Sequence, residues 1–392
     1  MSVPITTKPR YVVGVMTGTS LDAIDVAIIR MTSDVTLGHV TESIALAHFY
    51  SKALDDALAD VLLELQIRSD DELHRAALVA NSLADAISCA ILEAIRTHGL
   101  KAADILAAGV HGQTVRHQPQ LGYTIQLNAP ARIAEITGIT VVSDFRSRDI
   151  AAGGQGAPLV PAFHQALFQH DPSIRAVVNI GGIANITRLD DPLVGYDTGP
   201  GNMLMNHWAR QHLGQRFDAN GAWAASGNAN SSLLDVMLAD PFFSATPPKS
   251  TGRDLFDAKW LESFLQRSDI AGIAAADVQA TLAELTARSI AQELSKTPHS
   301  SAHHAQGREK ILVCGGGVHN AHLMARLAAA CQHLARDRFQ ILPTTAAGWD
   351  PQVIEAAAFA WLAARTMDGL TGNCPSVTGA VGHRILGAIT PA

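Results

Sequence analysis

Short apolar runs interrupted by glycine recur along this chain of 392 residues. The run YVVGVM at residues 11–16 stops near Gly18 and resumes as VAIIR at residues 26–30, which predicts a strand, a polar turn and a second strand. SIALAHFY at residues 43–50 predicts a third strand. The chain therefore opens with β-structure built around one glycine turn.

The same arrangement returns in the second half of the chain. IRAVVNIGGIANITRL at residues 174–189 is again an apolar run, a Gly-Gly break and a second run. KILVCGGGVHNAHLMARLAAA at residues 310–330 predicts a strand, a triple-glycine turn and a helix. The repeat predicts two similar α/β domains facing a cleft, which we place at residues 1–147 and 148–392.

Two further predicted strands end in polar sequence. DILAAGV at residues 104–110 runs into HGQTVRH, and ITVVSD at residues 139–144 runs into FRSRD. The crevice outside such strand ends is where open α/β sheets bind ligands. The sequence therefore predicts that the polar residues after these two strands are candidates for ligand binding.

Helical periodicity fills most of the remaining chain. In DPQVIEAAAFAWLAA the sequence predicts Asp350 as the N-cap and Pro351 as the first helical residue of a helix near 351–366, a candidate to return to the first domain. Other Ala- and Leu-rich patterns predict helices over residues 52–66, 71–98, 202–212 and 277–296.

Composition and charge narrow the range of partners. With 47% hydrophobic and 17% charged residues the chain can bury a large core, and 29 Lys and Arg against 36 Asp and Glu leave a net charge of -7 with no basic stripe. The polar N-terminus resembles neither a signal peptide nor a membrane span. The four cysteines have no metal-ligand spacing. We therefore expect a cytoplasmic protein with reduced thiols and without nucleic-acid or membrane partners.

Three glycine-rich turns, MTGTS, NIGGIAN and CGGGVHN, each follow a predicted strand. Glycine often serves only the turn itself, because it reaches positive φ without steric cost. Their recurrence favours backbone N–H groups that receive an anion such as phosphate. The chain has no GxxxxGK[ST] and no GxGxxG that opens a helix, which disfavours P-loop enzymes and simple Rossmann dehydrogenases.

Two carboxylates have both a structural and a functional interpretation. Asp197 in GYDTGPGN, before a helix predicted to begin near Asn202, is either a turn residue or a base that accepts a proton from water or a hydroxyl. Glu355 lies on an otherwise apolar helix, either on its polar face or as a ligand to a group at the helix N-terminus. The spacing alone leaves both alternatives open.

The histidines favour the structural interpretation. For His111 and His117 we predict a solvated loop rather than a catalytic site. We predict that residues 296–309, KTPHSSAHHAQGRE, form a surface loop rather than a metal site, because no carboxylate or cysteine accompanies the histidines at ligand spacing.

Taken together, eight motifs closely resemble the anhydro-N-acetylmuramic acid kinase family, nearly end to end. They are GVMTGTSLDAID, HGQT, SDFRSRDIAAGGQGAPLVPAFH, VNIGGIANIT, YDTGPGN, FDANGAWAASG, PPKSTGRDLF and CGGGVHN. The chain departs from the family at Ala23, where glycine is usual, and in the His-rich insert at residues 296–309. Neither departure removes a reacting group.

The resemblance implies two ribonuclease H-like domains of the actin-like ATPase fold, with ATP in a central cleft. It implies that Asp22 in the first phosphate loop positions Mg²⁺ through water. The residues that the resemblance assigns to ATP are Gly18, Thr19, Ser20, Leu21, Asp22, Ala23, Ile24 and Asp25 in the first loop, Asn179, Gly181 and Gly182 in the second turn, and Gly315, Gly316, Gly317 and Asn320 beside the nucleoside.

The resemblance also implies an unusual kinase reaction in the recycling of cell-wall sugars. Water attacks the anomeric carbon of 1,6-anhydro-N-acetylmuramic acid while O6 takes the γ-phosphoryl group of ATP, which gives N-acetylmuramic acid 6-phosphate and ADP. Asp197 is the implied base. The implied sugar contacts are Gln113, Thr114, Arg146 and Glu355, with the planar fork of the arginine suited to the lactyl carboxylate.

Two alternatives remain at this point. One is a kinase of the same fold that phosphorylates an ordinary amino-sugar hydroxyl, in which case the aspartate deprotonates that hydroxyl. The other is a non-enzymatic ATP-binding switch. Only about 70 residues follow CGGGVHN, too few for a typical second module, which disfavours the switch. Relatives suggest a homodimer.

Overall fold

Two open β-sheets organise the chain, one in each of two units. The computed structural model describes all residues except 1–4, 7–8, 19–20, 37–38, 253–254, 268–269, 271 and 299–307. One unit comprises Met1–Phe163 with Val353–Ala392, and the other comprises His164–Gln352.

The strands have the following bounds: β1 Ile5–Thr6, β2 Arg10–Thr17, β3 Ala23–Thr36, β4 His39–Ala53, β5 Ile105–Val110, β6 Gln113–Gln118, β7 Tyr123–Leu127, β8 Val141–Ser143, β9 Ile174–Ile180, β10 Ile183–Arg188, β11 Val194–Pro200, β12 Glu309–Cys314, β13 Phe339–Pro343 and β14 Ala388–Thr390. The helices are α1 Asp56–Glu64, α2 Glu72–His98, α3 Pro130–Thr137, α4 Ser147–Ala151, α5 Val160–Phe168, α6 Met203–Leu213, α7 Ala222–Ser226, α8 Ser231–Leu238, α9 Pro241–Ser244, α10 Ala258–Leu265, α11 Ala275–Ser295, α12 Ala321–Leu334, α13 Ile354–Met367 and α14 Pro375–Thr378. Short 3₁₀ turns occupy Ala102–Asp104, Pro119–Leu121, Ala219–Gly221, Gly316–His319 and Thr344–Ala347.

The main strands of the two sheets follow the same order. In the first sheet the order is β4, β3, β2, β5, β8, and in the second it is β11, β10, β9, β12, β13. In each case the second strand is antiparallel to its two neighbours, and the fourth and fifth strands run parallel to the third. This is the ribonuclease H-like arrangement, found twice in actin-like ATPases. The predicted repeat and fold class are confirmed.

Helix α13 packs unusually closely on the first sheet. A Cβ on Gly14 of β2 would collide with the carbonyl oxygen of Ala356, and one on Gly109 of β5 would collide with that of Phe359. Only glycine at both positions lets the helix backbone approach the strands so closely. This contact holds the N-terminal turn of α13, which carries Glu355, against the ends of the strands.

Helix α2 is the longest helix of the described chain, at 27 residues. By length and composition alone it could cross a bilayer, although a core helix of a soluble protein passes the same test. Its residues Leu83, Ile87 and Ile91 are fully buried in the core of the first unit. In this structure α2 therefore serves as a core helix.

Most predicted elements agree with the structure, and two local predictions are wrong. Helix α13 begins at Ile354 rather than at Pro351, because the Asp350 carboxylate accepts from Gln352 N at 2.8 Å within a turn and the Pro351 carbonyl accepts from Gly315 N. His111 and His117 do not lie in a solvated loop, because the segment after β5 continues directly into β6: His111 is only 4% exposed, and His117 lies on β6.

Candidate active site

The turn between β2 and β3 presents a carboxylate at the end of the first sheet. Leu21 has a positive φ of 57° and is only 2% exposed, so its side chain is buried in the core while its backbone forms the turn. Its N–H donates to the Gly18 carbonyl at 3.1 Å, and Leu54 N donates to the Asp22 carbonyl at 3.0 Å. Asp22 itself is exposed. Thr19 and Ser20 lie outside the described residues.

A second carboxylate follows on β3. Asp25 lies opposite Met16 of β2 and Ser51 of β4, and the Ser51 hydroxyl donates to its Oδ1 at 2.6 Å. The charge of Asp25 also affects Glu355 of α13. Burial is the main cause that raises the pKa of Glu355; the positive charge of Arg146 lowers this pKa, and the negative charge of Asp25 raises it. Asp25, Glu355 and Arg146 thus form one electrostatic group in the first unit.

A neutral histidine holds Arg146. Nε and Nη2 of Arg146 donate to Nε2 of His111 at 3.1 and 2.9 Å. A guanidinium can only donate, so Nε2 accepts and the ring proton lies on Nδ1, 2.6 Å from the Gly112 carbonyl. Burial, then the charge of Arg146, lower the pKa of His111 well below its usual range. The Gly112 carbonyl also accepts from Thr17 at 3.1 Å, which joins this group to the end of β2.

Arg146 keeps two donor hydrogens for a ligand. Besides the two bonds to His111, its Nη1 donates to the Gly156 carbonyl at 2.7 Å. A guanidinium carries five N–H bonds, so contacts with the described residues use three of them and leave two. Burial lowers the pKa of Arg146 to about 10, which leaves it protonated at neutral pH. The residue therefore offers a positive charge and free N–H groups.

Gln113 contributes an unsatisfied amide. It is 1% exposed, and its Oε1 has no hydrogen-bond partner among the described residues. Buried polar atoms are rarely left without a partner, so this oxygen is suited to a ligand hydroxyl or N–H. The neighbouring Thr114 hydroxyl accepts from Gln126 at 3.3 Å.

A carboxylate that the sequence does not single out supports this region. Asp149 is fully buried and accepts from Gly156 N, Asn373 Nδ2 and the Thr378 hydroxyl, each at 2.8 Å. It thereby holds the segment whose Gly156 carbonyl binds Arg146. The only signal in the sequence is the acidic residue in RSRDIAAGGQG, because two of its three partners, Asn373 and Thr378, lie more than 200 residues away.

In the second unit, the turn between β9 and β10 is tied to the start of α6. The Gly181 carbonyl accepts from Asn202 N at 2.7 Å, and the Gly182 carbonyl accepts from Gly201 N at 2.8 Å. Asn202 Nδ2 also donates to the Ile180 carbonyl at 3.2 Å. The NIGG and GPGN motifs therefore form one structural unit, and Asn202 precedes the first residue of α6 as predicted.

The triple glycine after β12 packs against the same turn. Gly315 has a φ of 81°, and a Cβ there would collide with the side-chain oxygen of Asn179. A Cβ on Gly317 would collide with the Ile180 side chain, whereas Gly316 has room. The Asn320 carboxamide oxygen accepts from Leu323 N at 2.9 Å and caps α12. These residues therefore have structural roles, and their contact with a nucleoside stays a prediction.

Asp197 lies on β11 in a row of polar side chains. Asn179, Asn185 and Asp197 are directly opposite one another across β9, β10 and β11. Thr251 N donates to Asp197 Oδ2 at 2.8 Å. Burial raises the pKa of Asp197 to about 7, against the lowering effects of the Thr251 bond and the Lys249 charge. A carboxylate with this pKa ionises near neutral pH and is a competent base.

The described residues contain no cluster of three or more His, Cys, Asp or Glu that could enclose a metal ion. The oxygen donors of the first unit nevertheless fit Mg²⁺, which keeps several waters and uses one or two carboxylates together with substrate phosphates. Asp22 is the exposed carboxylate of that turn. Among the described residues, no two cysteines form a disulfide.

Known proteins resemble this chain over nearly its whole length. A model of the anhydro-N-acetylmuramic acid kinase family matches residues 10–392. Anhydro-N-acetylmuramic acid kinase of Bordetella petrii is 48% identical over 99% of this chain and 98% of its own length, and that of Pseudomonas fluorescens is 45% identical over 97% and 99%. A Clostridium difficile activator of 2-hydroxyisocaproyl-CoA dehydratase with bound ADPNP covers 92% of this chain and 96% of its own at 12% identity and a TM-score of 0.43, a similarity too low to assign function.

Proposed function

Since this chain belongs to the anhydro-N-acetylmuramic acid kinase family, we propose that Asp197 is the catalytic base of its reaction. The chain is an ATP-dependent sugar kinase of cell-wall sugar recycling, and the kinase alternative with an ordinary hydroxyl acceptor and the non-enzymatic switch are not favoured. Its reaction converts 1,6-anhydro-N-acetylmuramic acid, ATP and water to N-acetylmuramic acid 6-phosphate and ADP.

The reaction needs a base because the sugar has no free hydroxyl at C6. A water oxygen bonds to C1, the C1–O6 bond breaks, and O6 takes the γ-phosphoryl group as the bond to ADP breaks. The proton released by the water passes to Asp197. The observation that carries this role is the hydrogen bond from Thr251 N to Oδ2 of a partly buried carboxylate whose pKa is about 7, which leaves Oδ1 for the proton.

We propose that the first unit recognises the sugar. The two unused N–H groups of Arg146 suit the two oxygens of the lactyl carboxylate. The unsatisfied Gln113 Oε1 suits a donor on the amino sugar. Thr114 and Glu355 complete the proposed set, with Glu355 placed by the close packing of α13.

ATP binds to the proposed loop residues 18–25, to Asn179 with the Gly181–Gly182 turn, and to residues 315–317 with Asn320. Mg²⁺ is proposed to be held through water by Asp22, where it would supply charge stabilisation for the phosphoryl group. The glycine turns contribute backbone N–H groups, which bind phosphate without a side chain in the way. ATP use is supported by the family, and the contacts are our proposal.

We also propose that the chain works in the cytoplasm as a homodimer on a small amino sugar. The net charge of -7 without a basic stripe supports the absence of a nucleic-acid partner. Light scattering at several protein concentrations tests the dimer, and a constant monomer mass would contradict it.

One assay tests the reaction directly. ADP release is followed with 1,6-anhydro-N-acetylmuramate, N-acetylmuramate and N-acetylglucosamine in ¹⁸O-water. We expect turnover with the anhydro sugar and one solvent oxygen on C1 of the product. Turnover with N-acetylglucosamine and no label at C1 would instead identify a kinase for an ordinary hydroxyl.

A further inference from the structure

A buried ion pair lies beside the strand that carries Asp197. Lys249 Nζ donates to Glu293 Oε1 at 3.0 Å, and the two side chains are 5% and 3% exposed. Lys249 Nζ also donates to the Phe242 carbonyl at 3.2 Å. The Tyr196 hydroxyl donates to the other oxygen of Glu293 at 3.0 Å. The sequence motif PPKSTGRDLF contains Lys249, but no role for this lysine follows from the sequence.

The segment at residues 247–251 contacts β11 from both of its faces. Successive side chains of a strand point to opposite faces, so Tyr196 and Asp197 are on different sides of β11. Lys249 follows the Tyr196 side, with Nζ 5.9 Å from the ring centre, to reach Glu293 on α11. Thr251 reaches Asp197 on the other side, and between these contacts Asp197 N donates to the Lys249 carbonyl at 3.2 Å.

The position of β11 explains why such a clamp is needed. Among the strands that the structure describes, β11 is the last at one end of its sheet, so none of them restrains its outer edge. The segment at residues 247–251 takes that place and supplies the N–H that binds Asp197 Oδ2. A base must be held close to its productive geometry, because displacement by about 1 Å can cost roughly 100-fold in rate.

We propose that Lys249 is a positioning residue for Asp197, and that its buried pair with Glu293 clamps the segment at residues 247–251 across β11. The inference rests on the proposed role of Asp197 as the base. Lys249 does not touch the substrate in this proposal. It acts through the backbone of its own segment, which orients the Asp197 carboxylate.

Three variants test the clamp. K249M removes the lysine but leaves Glu293 with Lys296 and Tyr196, so no buried carboxylate is stranded. E293Q breaks the ion pair and leaves the positive charge beside Asp197. K296M is the matched control, since Lys296 contacts the same Glu293 at 2.9 Å but is 53% exposed and outside the segment at residues 247–251.

We expect kcat to fall roughly 10- to 100-fold in K249M and E293Q and less than twofold in K296M. Each kcat is divided by the number of ADP-binding sites that calorimetry measures, so that unfolded protein does not count as loss of activity. The KM for ATP should not change. In K249M alone the acid limb of kcat should move to higher pH, because the cation that lowers the pKa of Asp197 is lost. Losses that vanish on normalisation, or equal effects in K249M and K296M, would overturn the proposal.

D197N is measured alongside to separate the two proposals. If D197N retains near-normal turnover, the proposed role of Asp197 fails, and the clamp has nothing to position. If D197N is inactive while K249M and E293Q behave like K296M, the role of Asp197 stands and the clamp alone is overturned. Loss of kcat in D197N, K249M and E293Q together supports both.

Discussion

The two units share one strand order but place different chemistry at the ends of their strands. In the first unit, side chains hold the functional group, since Arg146 is bound to the neutral ring of His111 and its charge acts on Glu355. In the second unit, backbone N–H groups and glycine turns dominate, and Asp197 is held by the backbone of Thr251. The same fold therefore supports two different ways to position a functional group.

The segments between equivalent strands of the two sheets differ as well. Strands β2 and β3 of the first sheet are joined by residues 18–22, whereas the equivalent strands β9 and β10 of the second sheet are joined by Gly181 and Gly182 alone. The longer connection carries the Asp22 carboxylate, and the shorter one exposes only backbone. We infer that recognition of the sugar belongs to the first unit and activation of water to the second.

The variant with the largest expected effect on activity removes the proposed base in the second unit. We expect D197N to lower kcat by on the order of 10³-fold, about 4 kcal/mol of transition-state stabilisation, with ATP binding and fold retained. Steady-state kinetics and calorimetry with ADP measure both. D235N is the control, because Asp235 is an exposed carboxylate on α8. Near-normal turnover in D197N would remove Asp197 from the mechanism.

In the first unit the corresponding test is R146A. We expect the KM for the sugar to rise on the order of 100-fold, because hydrogen bonds between charged groups contribute about 1.5–3 kcal/mol. An analogue without the lactyl carboxylate should be affected much less. Arg148 is an exposed arginine two residues away, so R148A is the control. Equal losses for both sugars would show that Arg146 binds something other than the carboxylate.

The pH dependence of turnover should reflect the ionisation of Asp197 in the second unit. Asp197 acts as a base only when ionised, and its pKa is raised to about 7, so kcat should rise through that pH and level off above it. At pH 6 the ionised fraction gives a rate about tenfold below the plateau. Arg146, with a pKa of about 10, keeps its charge throughout this range. A flat profile between pH 6 and 8 would contradict the assignment.

The sequence predicted the strands around each glycine turn well, because apolar periodicity is local. It predicted the candidate residues Arg146 and Asp197 only as members of motifs. It could not predict that His111 is a buried acceptor for Arg146, since that depends on a partner 35 residues away. Nor could it predict Asp149 or Lys249, whose partners on distant elements are brought near only by the fold. The N-cap at Asp350 was wrong because a tertiary contact of Pro351 overrode the local signal.

The smallest effects should come from single methyl groups in the two turns that we propose to bind the phosphates. A Cβ on Gly181 would meet the Ile183 carbonyl at 3.5 Å, an ordinary contact, so the fold has room for G181A. We expect its melting temperature to stay within about two degrees while the KM for ATP rises roughly three- to tenfold, a change of about 1 kcal/mol.

The reciprocal change in the first turn is A23G. Ala23 is the first residue of β3 and lies opposite Ala53 of β4, so its methyl group belongs to a paired strand rather than to the turn itself. Its removal should therefore change the KM for ATP less than twofold. If A23G instead lowers that KM as much as G181A raises it, alanine at position 23 narrows the approach of phosphate. The two turns would then bind ATP by the same backbone contact, despite their different lengths.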